Sequence, residues 1–358
     1  MTLTTLGLAQ FRSWARLNLS LDDRPVAIHG PNGAGKTNIL EAVSMLSPGR
    51  GLRGAAPGDQ ARQGAGTGWR IRATVDGRPV ETAALPGEAR SVSIDEKLAT
   101  QVALGSLVRV IWLIPSMDRL WTDPPDTRRR FLDRLTLSFH PDHAGHSLDH
   151  DKAIRERNRL LRDQVADDRW YRALETRMAR AGAAITRNRL DAIERIIRAQ
   201  QDAETTFPAA RLALLPGDGH ADDTEPDSIA ERLASCRPRD MAAGRTLNGP
   251  HRADLGAHWG PQDMPAALSS TGEQKALLLS LILANARALA AERPVLLLDE
   301  VAAHLDAPRR AALYDEVVAL PAQVLLTGTG RELFAALHGR ARFLAVERDG
   351  TGSTAVEE

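Results

Sequence analysis

The chain of 358 residues holds a single cysteine, Cys236, and only four lysines, Lys36, Lys97, Lys152 and Lys275. One thiol cannot close an internal disulfide or supply a thiolate metal cluster, which excludes disulfide-stapled secreted scaffolds, zinc ribbons and zinc hooks. A reducing, cytoplasmic setting is the expectation. No apolar run approaches the roughly 20 residues needed to span a bilayer, and Met1-Thr2-Leu3-Thr4-Thr5 lacks the basic and apolar blocks of an export signal. Net charge is also missing, because 46 Lys and Arg balance 46 Asp and Glu. That argues against a general nucleic-acid coat protein but leaves local basic faces open, since fields depend on how charges are segregated. With 43% hydrophobic and 26% charged residues the composition is that of a folded globular protein. The length calls for one large or two medium domains.

Where arginine has replaced lysine almost throughout, a surviving lysine draws attention. Lys36 lies in Gly30-Pro31-Asn32-Gly33-Ala34-Gly35-Lys36-Thr37, the P-loop pattern GxxxxGK[ST], after the apolar Val26-Ala27-Ile28 and before a segment over 38–46 with apolar residues at helical spacing. In that strand, loop, helix context, glycines let backbone N–H groups face phosphates and the helix N-terminus adds positive potential. Lys36 would reach the β/γ-phosphates, and Thr37 would offer its hydroxyl to Mg²⁺. A glycine turn that merely caps a helix is the bland alternative, and a second motif weighs against it. Pro294-Val295-Leu296-Leu297-Leu298-Asp299-Glu300 is a buried-type strand ending in two carboxylates, the form of a Walker B element. There Asp299 would hold Mg²⁺, and Glu300 would orient or deprotonate the water attacking a γ-phosphate.

A compact P-loop domain closes the distance between Lys36 and Asp299 in far fewer residues than this chain uses. An insertion is therefore expected, and the texture of the chain locates it. Strand patterns over 3–10, 15–21 and 25–29, a hairpin over 69–75 and 78–84 around Asp76-Gly77, and a strand over 107–115 precede a helix-forming, arginine-rich stretch over 127–201. An acidic loop over 217–227 and a short helix from Asp227 follow, and strand and helix patterns alternate again after Gly244. The reading is an α/β fold, a mixed, mostly parallel sheet flanked by helices, with head segments at 1–115 and 246–358 and an inserted, mainly helical lobe at 116–245. The lobe's charge is split, 13 basic and 8 acidic residues over 151–200 against 5 and 9 over 201–247. Its arginines Arg155, Arg157, Arg159, Arg162, Arg169 and Arg172 are candidates for DNA phosphates, or a solvated helix face.

Before the Walker B strand, Leu268-Ser269-Ser270-Thr271-Gly272-Glu273-Gln274-Lys275 opens a long helix and resembles the ABC signature LSGGQ or LSGGE. Ser270, Gly272 and Glu273 match it; Ser269 and Thr271 depart. A helix N-terminus with a small polar residue and a glycine suits a γ-phosphate, and the same residues form a plain capping box in the competing reading. Ala303-His304-Leu305-Asp306 sits where such ATPases carry the D-loop.

Further segments carry a resemblance. Phe11-Arg12-Ser13-Trp14, Asn38 after Lys36-Thr37, Arg128-Arg129-Arg130-Phe131-Leu132-Asp133, Arg157-Asn158-Arg159-Leu160-Leu161 and Gly249-Pro250-His251-Arg252-Ala253-Asp254-Leu255 together resemble the bacterial RecF family over nearly the whole chain. The resemblance implies an ABC-type ATPase head related to SMC proteins, with a short helical lobe in place of a long coiled coil. It further implies ATP and Mg²⁺ as cofactors and an ATP-dependent homodimer with Ser270, Gly272 and Glu273 acting in trans. Residues 30–38 and Arg12 become ATP contacts on this basis. The partners implied are gapped, single-stranded or junction DNA, with RecO and RecR in the loading of RecA, and no membrane.

Two places depart from the ABC pattern. Ser116 stands in the Q-loop region where Gln or Glu is usual, and Thr327-Gly328-Thr329 replaces the switch histidine, with Thr327 or Thr329 as its substitute. Slow hydrolysis follows from both, and a nucleotide-switched scaffold without useful hydrolysis stays open beside the ATPase. Arg128, Arg129 and Arg130 are left between DNA contact and a dimer interface, and His251 and Arg252 between a positional role and a turn before a strand.

Overall fold

A computed structural model describes residues 2–217, 223–260 and 262–358, so part of the loop expected over 217–227 lies outside the described residues. The chain forms two compact units: Met1–Asp118 with Ala203–Phe207 and Leu278–Glu358, and Arg119–Asp202 with Pro208–Leu277. The first unit begins with β1 (Leu3–Phe11), β2 (Trp14–Ser20), β3 (Val26–His29), α1 (Lys36–Ser44), β4 (Trp69–Val75), β5 (Arg78–Ala84), β6 (Ser91–Ile94), β7 (Lys97–Ala99), α2 (Leu104–Leu107) and β8 (Val110–Leu113). The second contains α3 (Pro125–Phe139), α4 (His143–Arg162), α5 (Asp168–Gln201), β9 (Ala210–Leu215), α6 (Pro226–Ser235), α7 (Arg237–Ala243), β10 (Asp254–Trp259) and β11 (Met264–Pro265). Helix α8 (Thr271–Ala288) contains the division, and β12 (Val295–Leu298), α9 (Ala307–Ala319), β13 (Gln323–Gly328), β14 (Arg342–Asp349) and β15 (Gly352–Glu357) complete the first unit.

Two six-stranded sheets build the first unit. One is antiparallel, in the order β2-β1-β4-β5-β6-β7; its strands alternate, as in β1 where Leu6 and Leu8 are buried at period two. The other runs β15-β14-β3-β13-β12-β8, parallel from β14 to β8 with β15 antiparallel at the edge. Strands β3, β8, β12 and β13 are buried at every residue, which is why they read as continuous apolar runs rather than alternating ones. Ile39, Leu40 and Val43 of α1 share one core with Leu6 and Trp14 of the antiparallel sheet and Ile28, Leu297 and Leu325 of the parallel one. Each such fully buried aliphatic side chain stabilises the fold by about 1.5–3 kcal/mol relative to exposure. Strands β14 and β15 pair antiparallel as a hairpin, from Leu344↔Glu357 to Asp349↔Gly352.

The second unit is mainly helical and also carries a three-stranded sheet of β9, β10 and β11. Its extent differs from the expected end at 245: β10 pairs antiparallel with β9 from Asp254↔Leu215 to Trp259↔Ala210, so the following chain stays in this unit to Leu277. The two arginine and Gly-Pro-His motifs explain each other here. Arg128 grips both carboxylate oxygens of Asp254 at 2.9 and 2.7 Å, and Arg129 donates to the Ala253 carbonyl at 2.9 Å. The Arg252 amide closes a turn on the Gly249 carbonyl at 2.9 Å just before β10. Arg130 remains exposed beside Asp126.

Beneath that turn lies His150, only 3% exposed, its ring centroid 5.7 Å from that of His251. Burial foremost, then the positive charge of His251 and Arg189, pushes its pKa from 6.5 down to about 3, against the weaker pull of Asp149 and Asp133. His150 is therefore neutral in the fold, while an unfolded histidine takes up a proton near 6.5. The unfolded state binds more protons between those two values, so this contribution to stability is intact above 6.5 and is lost as pH falls toward 3. Asp133 acts lower. Burial raises its pKa, but Arg189 and His143 outweigh that and leave it at about 2, so its contribution is lost only as pH drops from 3.8 toward 2. A His150→Gln variant is expected to flatten the acid loss of stability between pH 6.5 and 4 and keep the steep loss below. Denaturant unfolding at stepped pH tests this; an unchanged slope from pH 6.5 to 4 would place the acid sensitivity elsewhere.

Candidate nucleotide-binding site

Parallel register gathers the site. Leu298 of β12 stands beside Leu113 of β8 and Leu326 of β13, and Thr327 stands beside Ile28 of β3, so the C-terminal ends of four buried strands open at one edge, where open α/β sheets bind ligands. From β3 the chain turns through residues 30–35 into α1. Lys36, 4% exposed, folds back so that its ammonium donates to the carbonyls of Gly30 at 2.8 Å and Pro31 at 3.1 Å, with Glu300 Oε1 at 3.6 Å. Thr37 Oγ1 donates to Asp299 Oδ1 at 2.8 Å and lies 3.1 Å from Oδ2, across 262 residues of sequence. A hydroxyl and a carboxylate at this separation, on rigid elements at a helix N-terminus, are the hard oxygen donors Mg²⁺ takes when it bridges phosphates. The ammonium beside them matches the β/γ-phosphates, so the residues present fit Mg²⁺-nucleotide.

Around the loop, Phe11-Arg12-Ser13-Trp14 finds its reason. Phe11 and Trp14 are core residues; the Trp14 indole N–H donates to the Gly35 carbonyl at 3.2 Å, and Asn38 Nδ2 donates to Ser13 Oγ at 2.8 Å. Arg12 forks onto Glu41, a wholly buried carboxylate of α1, at 2.9 and 2.5 Å. Arg53 joins it, reaching Glu41 at 3.0 Å and Asn38 Oδ1 at 2.8 Å. The β14–β15 hairpin closes the other side: Ser353 Oγ lies 2.5 Å from the Ala34 carbonyl and 2.7 Å from Ser13 Oγ. Gly30, at φ 148°, has no room for a side chain, because a Cβ there would lie 2.0 Å from the Val346 carbonyl oxygen. Gly33 by contrast faces open space. A Gly30→Ala change is expected to weaken nucleotide binding about 10–100-fold, the equivalent of ~1–3 kcal/mol of backbone strain. Calorimetric titration with ATP checks it, and parent-like affinity would show that the loop has slack.

The remaining sequence candidates separate. Thr327 is buried, its hydroxyl donating to Asp299 Oδ1 at 2.7 Å and accepting from the Glu300 amide at 3.0 Å, whereas Thr329 is exposed. Ser116 is exposed on the turn Pro115–Met117 that follows β8. Glu300 holds a left-handed backbone at φ 55°, uncommon for a residue with a side chain. Ser270 and Glu273 do form the capping box: the Ser270 amide and hydroxyl donate to Glu273 Oε2 at 2.8 and 2.7 Å. Gly272 is exposed, with open space where a Cβ would stand. Ser269, a departure from the signature, accepts from the Trp259 indole at 2.6 Å and so fixes the approach to α8.

Residues 5–63 match the family described as AAA domain. The chain is 45% identical to the DNA replication and repair protein RecF of Mesorhizobium japonicum, over 98% of both chains. Its counterpart in Rhizobium meliloti is 46% identical over 96% of each, and that of Brucella abortus 46% identical over 97% of this chain and 94% of that one. The chain belongs to the RecF family. In keeping with that, the RecF-family chain superposes on a structure of the recombination mediator protein RecF with ATP in the RecFOR pathway, at a TM-score of 0.83 and 21% identity, covering 100% and 99% of the two chains. A Pyrococcus furiosus Smc head domain follows at 0.59 and 16% identity, covering 99% and 96%. The fold is the ATPase head shared by RecF and SMC proteins.

Sequence reading of this RecF-family chain overlooked Arg53, Glu41 and Ser353. Arg53 sits in a Gly-rich stretch that reads as loop, and nothing in its local pattern separates it from other arginines. Arg157, read as a DNA candidate, is fully buried and so is removed from that list; Arg155, Arg159, Arg162, Arg169 and Arg172 are exposed on α4 and α5. Among the described residues no helix is long and apolar enough to cross a membrane.

Proposed function

We propose that this RecF-family chain is an ATP-dependent DNA-binding recombination mediator of the cytoplasm, with weak, DNA-stimulated ATP hydrolysis used as a conformational switch. Residues 30–38 cradle the phosphates, Lys36 neutralises them, Thr37 and Asp299 hold Mg²⁺, and Glu300 activates the attacking water. Arg12 acts behind the loop through Glu41, with ATP contact as its further role. ATP is clamped between this site and Ser270, Gly272 and Glu273 of a second copy, closing a homodimer on gapped, single-stranded or junction DNA. Arg155, Arg159 and Arg162 supply phosphate contacts, and the complex assists RecA loading with RecO and RecR. The observation that carries the reading is the 2.8 Å contact of Thr37 with Asp299, two motifs from opposite ends of the chain meeting beside Lys36 and Glu300.

The test is sedimentation of the Glu300→Gln protein with and without Mg²⁺-ATP and a gapped duplex. A dimer that co-sediments with DNA only when ATP is present supports the clamp. A monomer that binds ATP yet ignores DNA would sink it, and an ATP-dependent dimer indifferent to DNA would favour the nucleotide-switched scaffold.

A further inference from the structure

We infer that Thr327 is a positioning residue for both carboxylates of the nucleotide site, its one hydroxyl fixing Asp299 as a metal ligand and the backbone of Glu300 as base. The inference rests on the nucleotide-site reading above and assigns Thr327 a task at the two carboxylates rather than that of a substitute for the switch histidine. The sheet dictates the meeting. Leu326 pairs with Leu298 in parallel register, so the next residues on the two strands, Thr327 and Asp299, emerge side by side. Thr327 is also paired to Ile28 of β3 on its other flank, and the following Gly328 is packed so closely that a Cβ there would lie 2.8 Å from the Phe334 ring. The threonine thus has little freedom to move.

Its hydroxyl is used in both directions. As donor it spends its single hydrogen on Asp299 Oδ1 at 2.7 Å, and as acceptor it takes the Glu300 N–H at 3.0 Å. The first bond orients a carboxylate that Thr37 already approaches at 2.8 Å, and keeps it turned toward the loop. The second secures the amide of a residue whose φ of 55° lies in the left-handed region, a conformation that persists only where the surroundings over-determine it. Side chains that orient metal ligands from behind behave in this way generally. Valine would keep the shape of threonine without either bond, and serine would keep both bonds without the methyl group, so the two substitutions separate shape from hydrogen bonding.

Three variants of the full chain test the assignment: Thr327→Val, Thr327→Ala and Thr327→Ser. ATP affinity in EDTA should stay within about threefold of the parent in all three, since Lys36 and the loop are untouched. In Val and Ala the Mg²⁺ concentration for half-maximal tightening of ATP binding should rise, and kcat fall, each about 10–100-fold with KM within about threefold, while Ser stays near the parent in both. If Val does not fold, the contrast between Ala and Ser decides. Parent-like Mg²⁺ dependence and kcat in Val or Ala would overturn the assignment, as would a Ser variant as impaired as Ala, because the methyl rather than the hydroxyl would then matter. Failure of the parent itself to bind Mg²⁺-ATP would overturn the nucleotide-site reading and this assignment with it.

Discussion

Replacing Glu300 by Gln should lower ATP turnover about 10²–10⁴-fold, the usual worth of a positioned general base, and leave ATP affinity equal to or tighter than the parent's. The substitution is nearly isosteric, so the left-handed backbone and the bond from its amide to Thr327 are retained. What disappears is a charge. Glu300 Oε1 lies 3.6 Å from the Lys36 ammonium, and its loss frees that cation to serve the phosphates undivided while removing the group that would accept the water's proton. Binding and hydrolysis are thereby uncoupled, which is the condition for a nucleotide-closed dimer to accumulate. Single-turnover phosphate release alongside equilibrium ATP titration separates the two effects. Turnover at the parent rate would assign the base elsewhere, and lost affinity would mean that Glu300 shapes the loop rather than the reaction.

The parts of this site that were legible in the sequence are those whose geometry is local. A glycine loop between a buried strand and a helix fixes where Lys36 and Thr37 stand, and an apolar strand ending in Asp299-Glu300 fixes where the carboxylates stand. The Asp76-Gly77 turn likewise announces β4 and β5 with the bounds they adopt, Trp69–Val75 and Arg78–Ala84. Long-range pairing is different in kind. Nothing near Ala210–Leu215 says that its partner is Asp254–Trp259, so the extent of the inserted unit was set too short. Glu41 was hidden for another reason: inside an apolar helix it looks like the polar face, yet it is wholly buried because Arg12 and Arg53 both neutralise it. The arginines that do so come from a strand end and a loop, and no periodicity joins them to α1.

Arg157 shows the same trap in the second unit, and removing it should have the largest effect on stability. Its spacing of four from Ala153 and Leu161, both buried, marks the inner face of α4; charge alone suggested the outside. The guanidinium is fully enclosed and every group on it is used: NH1 donates to Asp240 at 2.6 Å and Thr246 at 2.8 Å, Nε to Glu175 at 3.1 Å, and NH2 to the Leu233 carbonyl at 2.9 Å. One side chain thus ties α4 to α5, α6 and α7. Glu175 keeps Arg237 as a second partner at 2.6 Å, but Asp240, wholly buried, loses its countercharge. Breaking such a pair from one side costs about 3–5 kcal/mol, because the orphaned carboxylate stays desolvated. Arg157→Ala should therefore unfold at markedly lower urea, while Arg155→Ala and Arg159→Ala, on exposed positions, should stay within about 0.5 kcal/mol of the parent. DNA affinity measured on the folded proteins should divide the other way, falling for Arg155 and Arg159 and holding for Arg157. An Arg157→Ala protein of parent stability with weakened DNA binding would return that residue to the DNA face and break the argument that burial, not charge, decides its role.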